Sequence, residues 1–279
     1  LYGQSADRWA ELLPDHYSVY PGLTYLTASG FPQKLTVYLP NNPKGAVPVV
    51  VYYHGGGWIW GDAPGATIFL LPFLQKGWAV VNVDYRLSDT APAPAAVEDC
   101  LCALKWVWQN ADQYKFDKTR IVTTGHSAGG HLAMITAMAP QSAGLDRQCF
   151  YEKDDYPKVA AVIDWYGITD VVDLLEGPNQ KNYAVMWLGS QADREAIAKS
   201  VSPLTYVRKD LPATILIHGD ADKVVPYSQA TRMHGALDKA GAPNMLFTVP
   251  GGGHGGFGDA ETLSAWDAVW KFLADHNIK

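Results

Sequence analysis

Residues 120–138 read RIVTTGHSAGGHLAMITAM, a β-branched run followed directly by a helix-forming run, with Ser127 at the junction. Gly125 and Gly129 stand two positions on either side of this serine. A strand that turns abruptly into a helix forces unusual backbone angles on the residue at the turn and brings neighbouring backbone so close that Cβ atoms there would collide. The stretch therefore predicts a nucleophile elbow that exposes the Ser127 hydroxyl at a helix N-terminus. A purely structural turn is the alternative.

The rest of the chain repeats the strand-then-helix pattern. Apolar, β-branched runs predict strands at KLTVYLP, VPVVVYYHG, WAVVNVDY, RIVTTG, VAAVIDWYG, ATILIHG and MLFTVPG. Helix-length segments lie between the later strands, at 95–110, 128–138, 228–240 and 259–276. Strands that alternate with helices predict an α/β fold with a mostly parallel central sheet and helices on both faces.

Two segments depart from this alternation. Between LTYLTAS and KLTVYLP, the Gly-Phe-Pro signal at 30–32 predicts the turn of an antiparallel edge hairpin. Residues 167–206 lack a convincing strand and carry helix-like pieces at 183–188 and 194–200, which predicts a small cap over the site or a plain surface insertion. Because no repeat or linker divides the chain, we expect a single domain over 1–279.

Composition and charge exclude several classes of function. The 279 residues are 48% hydrophobic and 18% charged, which is typical of a soluble globular protein. No apolar run approaches the roughly 18 residues that a membrane-spanning helix needs. The net charge of −6, with scattered lysines and arginines, lacks the basic stripe that binds nucleic acid. We therefore expect a small-molecule or oligosaccharide substrate, with no nucleic-acid or membrane partner.

The cysteines and the first residue give weaker information. Cys100, Cys102 and Cys149 are too few and wrongly spaced for a zinc site or a disulfide scaffold. Because Cys100 and Cys102 point to different faces of a predicted helix, at most one of them could pair with Cys149. We favour buried free thiols. The chain starts at Leu1 without an apolar leader, so we expect a trimmed or processed chain and favour a secreted or periplasmic location over a cytoplasmic one.

A serine nucleophile needs a histidine base and a carboxylate that orients the base. His254 lies in VPGGGHGGFGD, a glycine-dense loop between the last strand and the last helix, where a side chain can reach over the sheet rim. Asp222 lies far enough past the strand ATILIHG to turn toward His254, whereas Asp220 sits in the tight turn and suits local backbone hydrogen bonds. The order Ser127, Asp222, His254 is the order of α/β-hydrolases.

The glycines of VVVYYHGGGWIWGD predict the pocket for the oxyanion that forms during acyl transfer. Glycines directly after a buried strand let the backbone approach the substrate and point N–H groups inward. We expect the N–H groups of Gly56, Gly57 and Ala128 to donate to the oxyanion. A phosphate-binding loop is the alternative, but the lysine and the helix of a Walker motif are missing here. We interpret His54 as a brace for this loop and expect neither a metal nor a cofactor.

Six stretches together resemble the hormone-sensitive-lipase branch of α/β-hydrolase carboxylesterases: HGGGW, DYRLS, PAAVEDCLCALKWV, GHSAGGHLA, HGDADKVVP and GGGHG. Within that branch the chain is most similar to bacterial feruloyl and acetyl xylan esterases. The resemblance runs from about residue 47 to the C-terminus and implies the same catalytic triad and oxyanion hole. His126 stands where many relatives carry aspartate, and the N-terminal segment is too short for their large helical cap, so a more open site is expected.

The resemblance implies acetyl or feruloyl esters of plant cell-wall xylan as substrates. We expect Trp58 and Trp165 to contact the substrate, because aromatic faces suit sugar rings or a feruloyl group, with core packing as the alternative for each. Similar motifs occur in kynurenine formamidases, which hydrolyse an arylformamide. A catalytically inactive, ligand-binding homologue is the alternative from another class.

Overall fold

The computed structural model describes residues 15–149 and 156–279. The first 14 residues of the predicted domain lie outside the described residues, as do 150–155. The strands of the described part are β1 (Tyr17–Ala28), β2 (Phe31–Pro40), β3 (Val47–Tyr53), β4 (Ala79–Val83), β5 (Phe116–His126), β6 (Ala161–Trp165), β7 (Ala213–Gly219) and β8 (Asn244–Val249). The α-helices there are α1 (Leu71–Gln75), α2 (Ala95–Gln109), α3 (Ala111–Tyr114), α4 (Ala128–Met138), α5 (Asn182–Leu188), α6 (Arg194–Ser200), α7 (Ser228–Ala240) and α8 (Asp259–Asp275).

The strands form one sheet in the order β1-β2-β4-β3-β5-β6-β7-β8. Strand β2 pairs antiparallel with both β1 and β4, and the remaining pairs are parallel. Helical crossovers connect the parallel strands, as parallel pairing requires. The predicted α/β fold with an antiparallel N-terminal pair is confirmed.

Two hydrophobic clusters cover the opposite faces of this sheet. Along β3, Val49 and Val51 belong to the cluster that contains α2 and α4, whereas Val50 and Tyr52 belong to the cluster that contains α1 and α8. Side chains alternate between the two faces of a strand, so a strand covered on both faces must be apolar at every position. This is why β3 reads as an uninterrupted apolar run.

The N-terminal hairpin turns earlier than predicted. Phe31 and Pro32 are already in β2, where they pair with Ala28 and Thr27. Ser29 and Gly30 make the turn instead, with φ of 52° and 81°. Two consecutive residues with positive φ are what a short hairpin turn with the right twist requires.

The segment between β3 and β4 contains helical structure that the sequence pattern did not indicate. A 3₁₀ helix, Pro64–Leu70, leads directly into α1. The buried residues are Ala66 and Leu70 in the 3₁₀ helix, and Phe73 and Leu74 in α1. Proline at the first turn of both pieces obscured the helix-like periodicity, although a proline is tolerated at the start of a helix.

The helix-like pieces predicted within 167–206 are confirmed as α5 and α6, and they lie in the connection from β6 to β7. Within the described residues, no helix combines the length and the apolar character needed to cross a membrane.

The prediction of free thiols was wrong for two of the cysteines. Cys102 and Cys149 form a disulfide with their Cα atoms 5.0 Å apart, and Cys100 is free and buried. Cys100 and Cys102 both belong to α2 but lie on different faces of it. Cys100 packs in the core, whereas Cys102 bonds to Cys149 in the segment after α4. Cys149 lies outside the predicted elements, so the sequence pattern gave no sign of its approach to α2.

Candidate active site

Ser127 occupies the junction between β5 and α4 with φ of 57° and ψ of −118°. A non-glycine residue rarely adopts such angles, because they crowd the side chain against the backbone. The Ser127 N–H donates to the Trp165 carbonyl at 2.8 Å, and the His131 N–H donates to the Ser127 carbonyl at 3.1 Å. Bonds from both flanking elements therefore hold the serine in its strained conformation.

The glycines on either side of Ser127 are needed for a reason that refines the sequence prediction. A Cβ at Gly125 or at Gly129 would overlap the carbonyl oxygen of Tyr53 at the end of β3. A Cβ at Gly125 would also lie 2.5 Å from the carbonyl carbon of Gly129. The elbow packs tightly against the neighbouring strand as well as against itself.

Asp222 and His254 are hydrogen-bonded across two loops, with His254 Nδ1 2.7 Å from Asp222 Oδ2. The other carboxylate oxygen of Asp222 accepts the N–H groups of Val224 at 2.7 Å and Val225 at 3.0 Å. Burial raises the pKa of Asp222, but hydrogen bonds from His218 and His254 outweigh burial and hold it well below its usual value. An ionised Asp222 can only accept, so His254 Nδ1 carries the proton and Nε2 is left as the basic nitrogen.

Asp220 has the local role that its position in the tight turn indicates. Its Oδ1 accepts the Gly251 N–H at 2.6 Å, and the side chain is exposed. Asp220 therefore ties the loop after β7 to the loop after β8.

Ser127 and His254 line one cavity of about 770 Å³ at the carboxyl ends of the parallel strands. Among the described residues, the Ser127 hydroxyl makes no hydrogen bond to His254; such contacts are often long in an empty site and tighten when substrate binds. The two side chains share the cavity that a substrate would enter.

The loop after β3 presents its backbone to this cavity. Gly56 and Gly57 line it, with φ of 115° and 61°. A Cβ at Gly56 would overlap the Trp60 carbonyl, and a Cβ at Gly57 would lie 2.9 Å from Tyr183 Cβ. In the described ranges, the N–H groups of Gly56, Gly57 and Ala128 donate no hydrogen bond. These three donors are therefore free for a ligand.

The structure corrects the expectation that Trp58 contacts the substrate. Trp58 is completely buried beneath the glycine loop and stacks on Trp187 of α5 at a centroid distance of 4.0 Å. Its indole N–H donates to His131 Nδ1 at 3.2 Å, and His131 Nε2 donates to the Val201 carbonyl at 2.7 Å. Trp58 thus supports the loop from below.

Trp165 lines a smaller cavity of about 260 Å³ that shares Phe69, His126 and Tyr166 with the larger one. The Trp165 side chain is largely covered. Its contact with substrate stays a prediction.

Five aromatic residues outside the predicted site residues line the larger cavity: Tyr52, Trp60, Phe69, Tyr166 and Tyr183. Trp60 is 68% exposed and Phe69 is 40% exposed, although both are large apolar side chains. Trp60 stands within the glycine-loop motif, which was a usable signal. Phe69 and Tyr183 come from the unpredicted 3₁₀ helix and from α5, so their place at the site depends on tertiary packing.

His126 lies between the two cavities, next to the serine. Its Nδ1 is 2.9 Å from the Tyr52 hydroxyl, and its ring is 4.3 Å from that of Phe69. Burial, with a smaller effect of His254, lowers the pKa of His126 to about 3. A neutral imidazole therefore stands where the sequence analysis noted a departure from aspartate.

His218, near the end of β7, contacts Asp222, although it is not among the predicted site residues. Its Nε2 lies 3.0 Å from the Val225 carbonyl oxygen and 3.3 Å from Asp222 Oδ2. The i,i+4 spacing in HGDAD was the available signal.

No group of three or more histidine, cysteine, aspartate or glutamate side chains suited to hold a metal ion occurs among residues 15–149 and 156–279.

The sequence is similar to those of known esterases. The sequence model of the BD-FAE family matches residues 35–237. Esterase LipQ of Mycobacterium tuberculosis is 30% identical over 241 residues, which are 83% of this chain and 56% of LipQ. Carboxylesterase NlhH of the same species is 37% identical over 126 residues, which are 45% of this chain and 37% of NlhH. The chain spans about half the length of LipQ.

Solved structures match nearly the whole chain. A truncated carbohydrate esterase from gut microbiota superposes with a TM-score of 0.80 at 28% identity, covering 95% of this chain and 98% of its own. Esterase 2 of Thermogutta terrifontis with propionate bound has a TM-score of 0.76 at 27% identity, covering 94% and 95%. The bifunctional GH43-CE protein of Bacteroides eggerthii has a TM-score of 0.78 at 29% identity, covering 92% of this chain and 35% of its own.

Proposed function

We propose a function for this chain, which belongs to the BD-FAE family and has the fold of the α/β-hydrolase esterases. It is a serine carboxylesterase that hydrolyses acetyl or aromatic acyl esters, as carried by plant cell-wall xylan. The observation that supports the esterase assignment most directly is the hydrogen bond between His254 and the ionised Asp222 at the rim of the cavity that contains the strained Ser127.

The mechanism follows from the geometry of these side chains. Ser127 Oγ attacks the ester carbonyl while His254 Nε2 takes its proton, and Asp222 orients the resulting imidazolium. His254 then protonates the leaving alcohol, and a water molecule activated by the same imidazole hydrolyses the acyl-enzyme.

The free backbone donors beside Ser127 supply the rest of the catalysis. The oxyanion formed in each step accepts hydrogen bonds from the N–H groups of Gly56, Gly57 and Ala128. Loss of one such donor typically costs about 3 kcal/mol of transition-state stabilisation.

The substrate class is supported by the shape and lining of the site. The exposed Trp60 ring and the Phe69 ring flank an open cavity, and aromatic faces of this kind pack on sugar rings or on a feruloyl group. Tyr183 brings the insertion 167–206 to the cavity wall, so this insertion acts as a small cap. One of the similar solved structures is described as a carbohydrate esterase, and another as a bifunctional GH43-CE protein.

A parallel hydrolysis screen tests the proposal. The substrates are acetylated xylan, methyl ferulate, short p-nitrophenyl esters and N-formylkynurenine, each with unmodified protein and with Ser127→Ala. We expect the unmodified protein to release acetate from xylan or ferulate from its methyl ester, and the variant to release neither. Cleavage of N-formylkynurenine alone would replace the ester assignment with that of an arylformamide hydrolase.

A further inference from the structure

We propose that His218 and Asp164 are positioning residues that stand behind Asp222, hold its carboxylate, and set how strongly His254 attracts a proton. This inference rests on the proposed roles of Asp222 and His254. It extends the Asp222–His254 pair inward from the cavity to two buried polar side chains, Asp164 of β6 and His218 of β7.

His218 contacts Asp222 from the protein interior. The His218 side chain is fully buried, and its Nε2 lies 3.0 Å from the Val225 carbonyl and 3.3 Å from Asp222 Oδ2. Both neighbouring atoms can only accept, so Nε2 must carry a proton. Asp222 Oδ2 therefore lies between two imidazole N–H groups, that of His254 at 2.7 Å and that of His218.

Asp164, on the neighbouring strand, is the carboxyl group that interacts electrostatically with His218. Asp164 pairs with Leu216 across β6 and β7, so Asp164 and His218 lie on the same face of the sheet. Asp164 Oδ1 accepts the Gly167 N–H at 3.0 Å. In the described part of the chain, Asp164 Oδ2 and His218 Nδ1 are both buried without a hydrogen-bond partner. The two atoms are not hydrogen-bonded to each other, so Asp164 acts on His218 through its charge.

The surroundings of Asp164 let its charge change near neutral pH. Burial raises its pKa to about 7, against the lowering effects of His218 and of the Gly167 N–H. A Cβ at Gly130 or at Gly167 would overlap Asp164 Oδ1, so glycines at both positions make room for the carboxyl group. Negative charge on Asp164 favours positive charge on His218 and makes His218 a stronger donor to Asp222, which leaves less negative charge to stabilise protonated His254.

The other titratable groups that face Asp222, His254 or His218 come from four segments. They are His126 at the end of β5, whose pKa burial lowers with a smaller effect of His254, Tyr183 of α5, whose pKa burial raises with a smaller effect of Asp222, Tyr166 after β6, whose ring centroid is 4.8 Å from that of His254, and Tyr227 before α7, whose ring centroid is 5.7 Å from that of His218.

The first test replaces the buried donor with an apolar side chain of similar volume, His218→Leu. The negative charge of Asp222 then acts on one imidazole instead of two, so protonated His254 is stabilised. We expect the acid limb of the pH profile of kcat/KM to move upward by about one pH unit. Because Asp222 is less firmly held, kcat should fall by a larger factor than KM rises.

A second variant, Asp164→Asn, keeps the shape of the side chain but removes the charge that acts on His218. We expect a smaller upward shift of the acid limb. His234→Leu is the matched control, because His234 also lies 3.5 Å from an aspartate four residues later, Asp238, on the surface helix α7. This control should leave the acid limb unchanged.

The proton NMR resonance of the His254 Nδ1–H, bonded to Asp222, gives a readout that does not need turnover. It should move in His218→Leu and in Asp164→Asn, and stay in place in His234→Leu. If the unmodified protein cleaves no ester, the proposed function fails while this resonance still decides the present inference.

The inference is overturned if both variants fold and neither the acid limb nor the resonance moves. If His218→Leu does not fold, Asp164→Asn decides the question on the same two readouts.

Discussion

At the scale of single residues, backbone contacts hold Ser127 in place and leave its hydroxyl free. Ser127 has a strained φ of 57°, and the strain is maintained by the Trp165 and His131 backbone bonds and by the absence of a Cβ at positions 125 and 129. None of these restraints uses the serine hydroxyl. The hydroxyl is therefore available for chemistry.

Replacing Ser127 with alanine should accordingly separate activity from folding. We expect the Ser127→Ala variant to lose about 10⁶-fold in kcat on a short p-nitrophenyl ester, because the nucleophile of a triad is removed. The midpoint of thermal unfolding should stay close to that of the unmodified protein, since the backbone bonds remain. A variant that folds and retains near-normal turnover would contradict the assignment of the nucleophile. Labelling of the unmodified protein by a fluorophosphonate, followed by mass spectrometry, identifies the reactive residue directly.

The buried carboxyl group of Asp164 should make stability depend on pH in a defined direction. Its pKa is raised by burial to about 7 from an ordinary value of 3.8, so the folded state binds a proton that the unfolded state has already lost between those two pH values. The free energy of unfolding that this group contributes should fall as pH rises from about 4 to about 7, and level off above.

Urea unfolding at a series of pH values measures this effect. The unmodified protein should lose unfolding free energy as pH rises from about 4 to about 7, and Asp164→Asn should not lose this part. The variant should therefore become more stable relative to the unmodified protein over this pH range. A difference that stays constant with pH would show that Asp164 ionises normally in the folded state.

At the scale of elements, the glycine loop after β3 and helix α5 restrict each other. Gly57 has a φ of 61°, and a Cβ there would lie 2.9 Å from Tyr183 Cβ. The Tyr183 hydroxyl donates to the Val224 carbonyl at 3.2 Å, beside the backbone that holds Asp222. The insertion therefore touches both the proposed oxyanion loop and the loop of the proposed acid.

A double-mutant cycle tests this contact. Gly57→Ala should destabilise the protein by about 1–3 kcal/mol, because alanine is strained at this φ and meets Tyr183. Adding Tyr183→Gly, which removes the Cβ that is overlapped, should recover the part that is due to the overlap and leave the part that is due to backbone strain. Thermal unfolding of the two single variants and the double variant provides the comparison. Strictly additive effects would mean that α5 does not press on the loop.

The elements that the sequence could predict are those whose pattern is local. The β-branched run before Ser127 and the apolar run of β3 gave strands because burial on both faces leaves no polar position. The 3₁₀ helix Pro64–Leu70 and the approach of Cys149 to Cys102 could not be predicted, since short turns and contacts between distant segments leave no periodicity in the sequence.

In the candidate site, too, local patterns could be predicted and contacts between distant segments could not. Ser127, Asp222 and His254 could be predicted as site residues, because glycine loops and strand ends indicate them. Trp58 was assigned to the wrong side of its loop, because the sequence does not say which face of a loop an aromatic residue covers.

At the scale of the whole molecule, the topology assembles the site from separate loops. In a parallel sheet the carboxyl ends of neighbouring strands meet at one edge, and ligands bind there. The loops after β3, β5, β6, β7 and β8 bring Gly56, Ser127, Tyr166, Asp222 and His254 to this edge. The 3₁₀ helix after β3 and the insertion after β6 then build an aromatic wall around the opening.

This wall should distinguish large from small substrates. The Trp60 ring is 68% exposed at the cavity, where a sugar next to the esterified one could pack on it. A small ester that occupies only the space around Ser127 needs no such surface. Trp60→Ala should therefore raise KM for acetylated xylo-oligosaccharides by about 3- to 10-fold, the equivalent of one aromatic contact, and leave kcat/KM for p-nitrophenyl acetate within about 2-fold.

Phe31→Ala is the matched control for this prediction, because Phe31 is 63% exposed on the N-terminal hairpin and does not line the cavity. Its kinetics on both substrates should equal those of the unmodified protein, measured by acetate release and by p-nitrophenol absorbance. An equal loss on both substrates in Trp60→Ala would place Trp60 at the reacting ester instead. Unchanged kinetics on the oligosaccharides would remove Trp60 as support for a carbohydrate substrate, because its exposed ring would then have no part in binding the sugar chain.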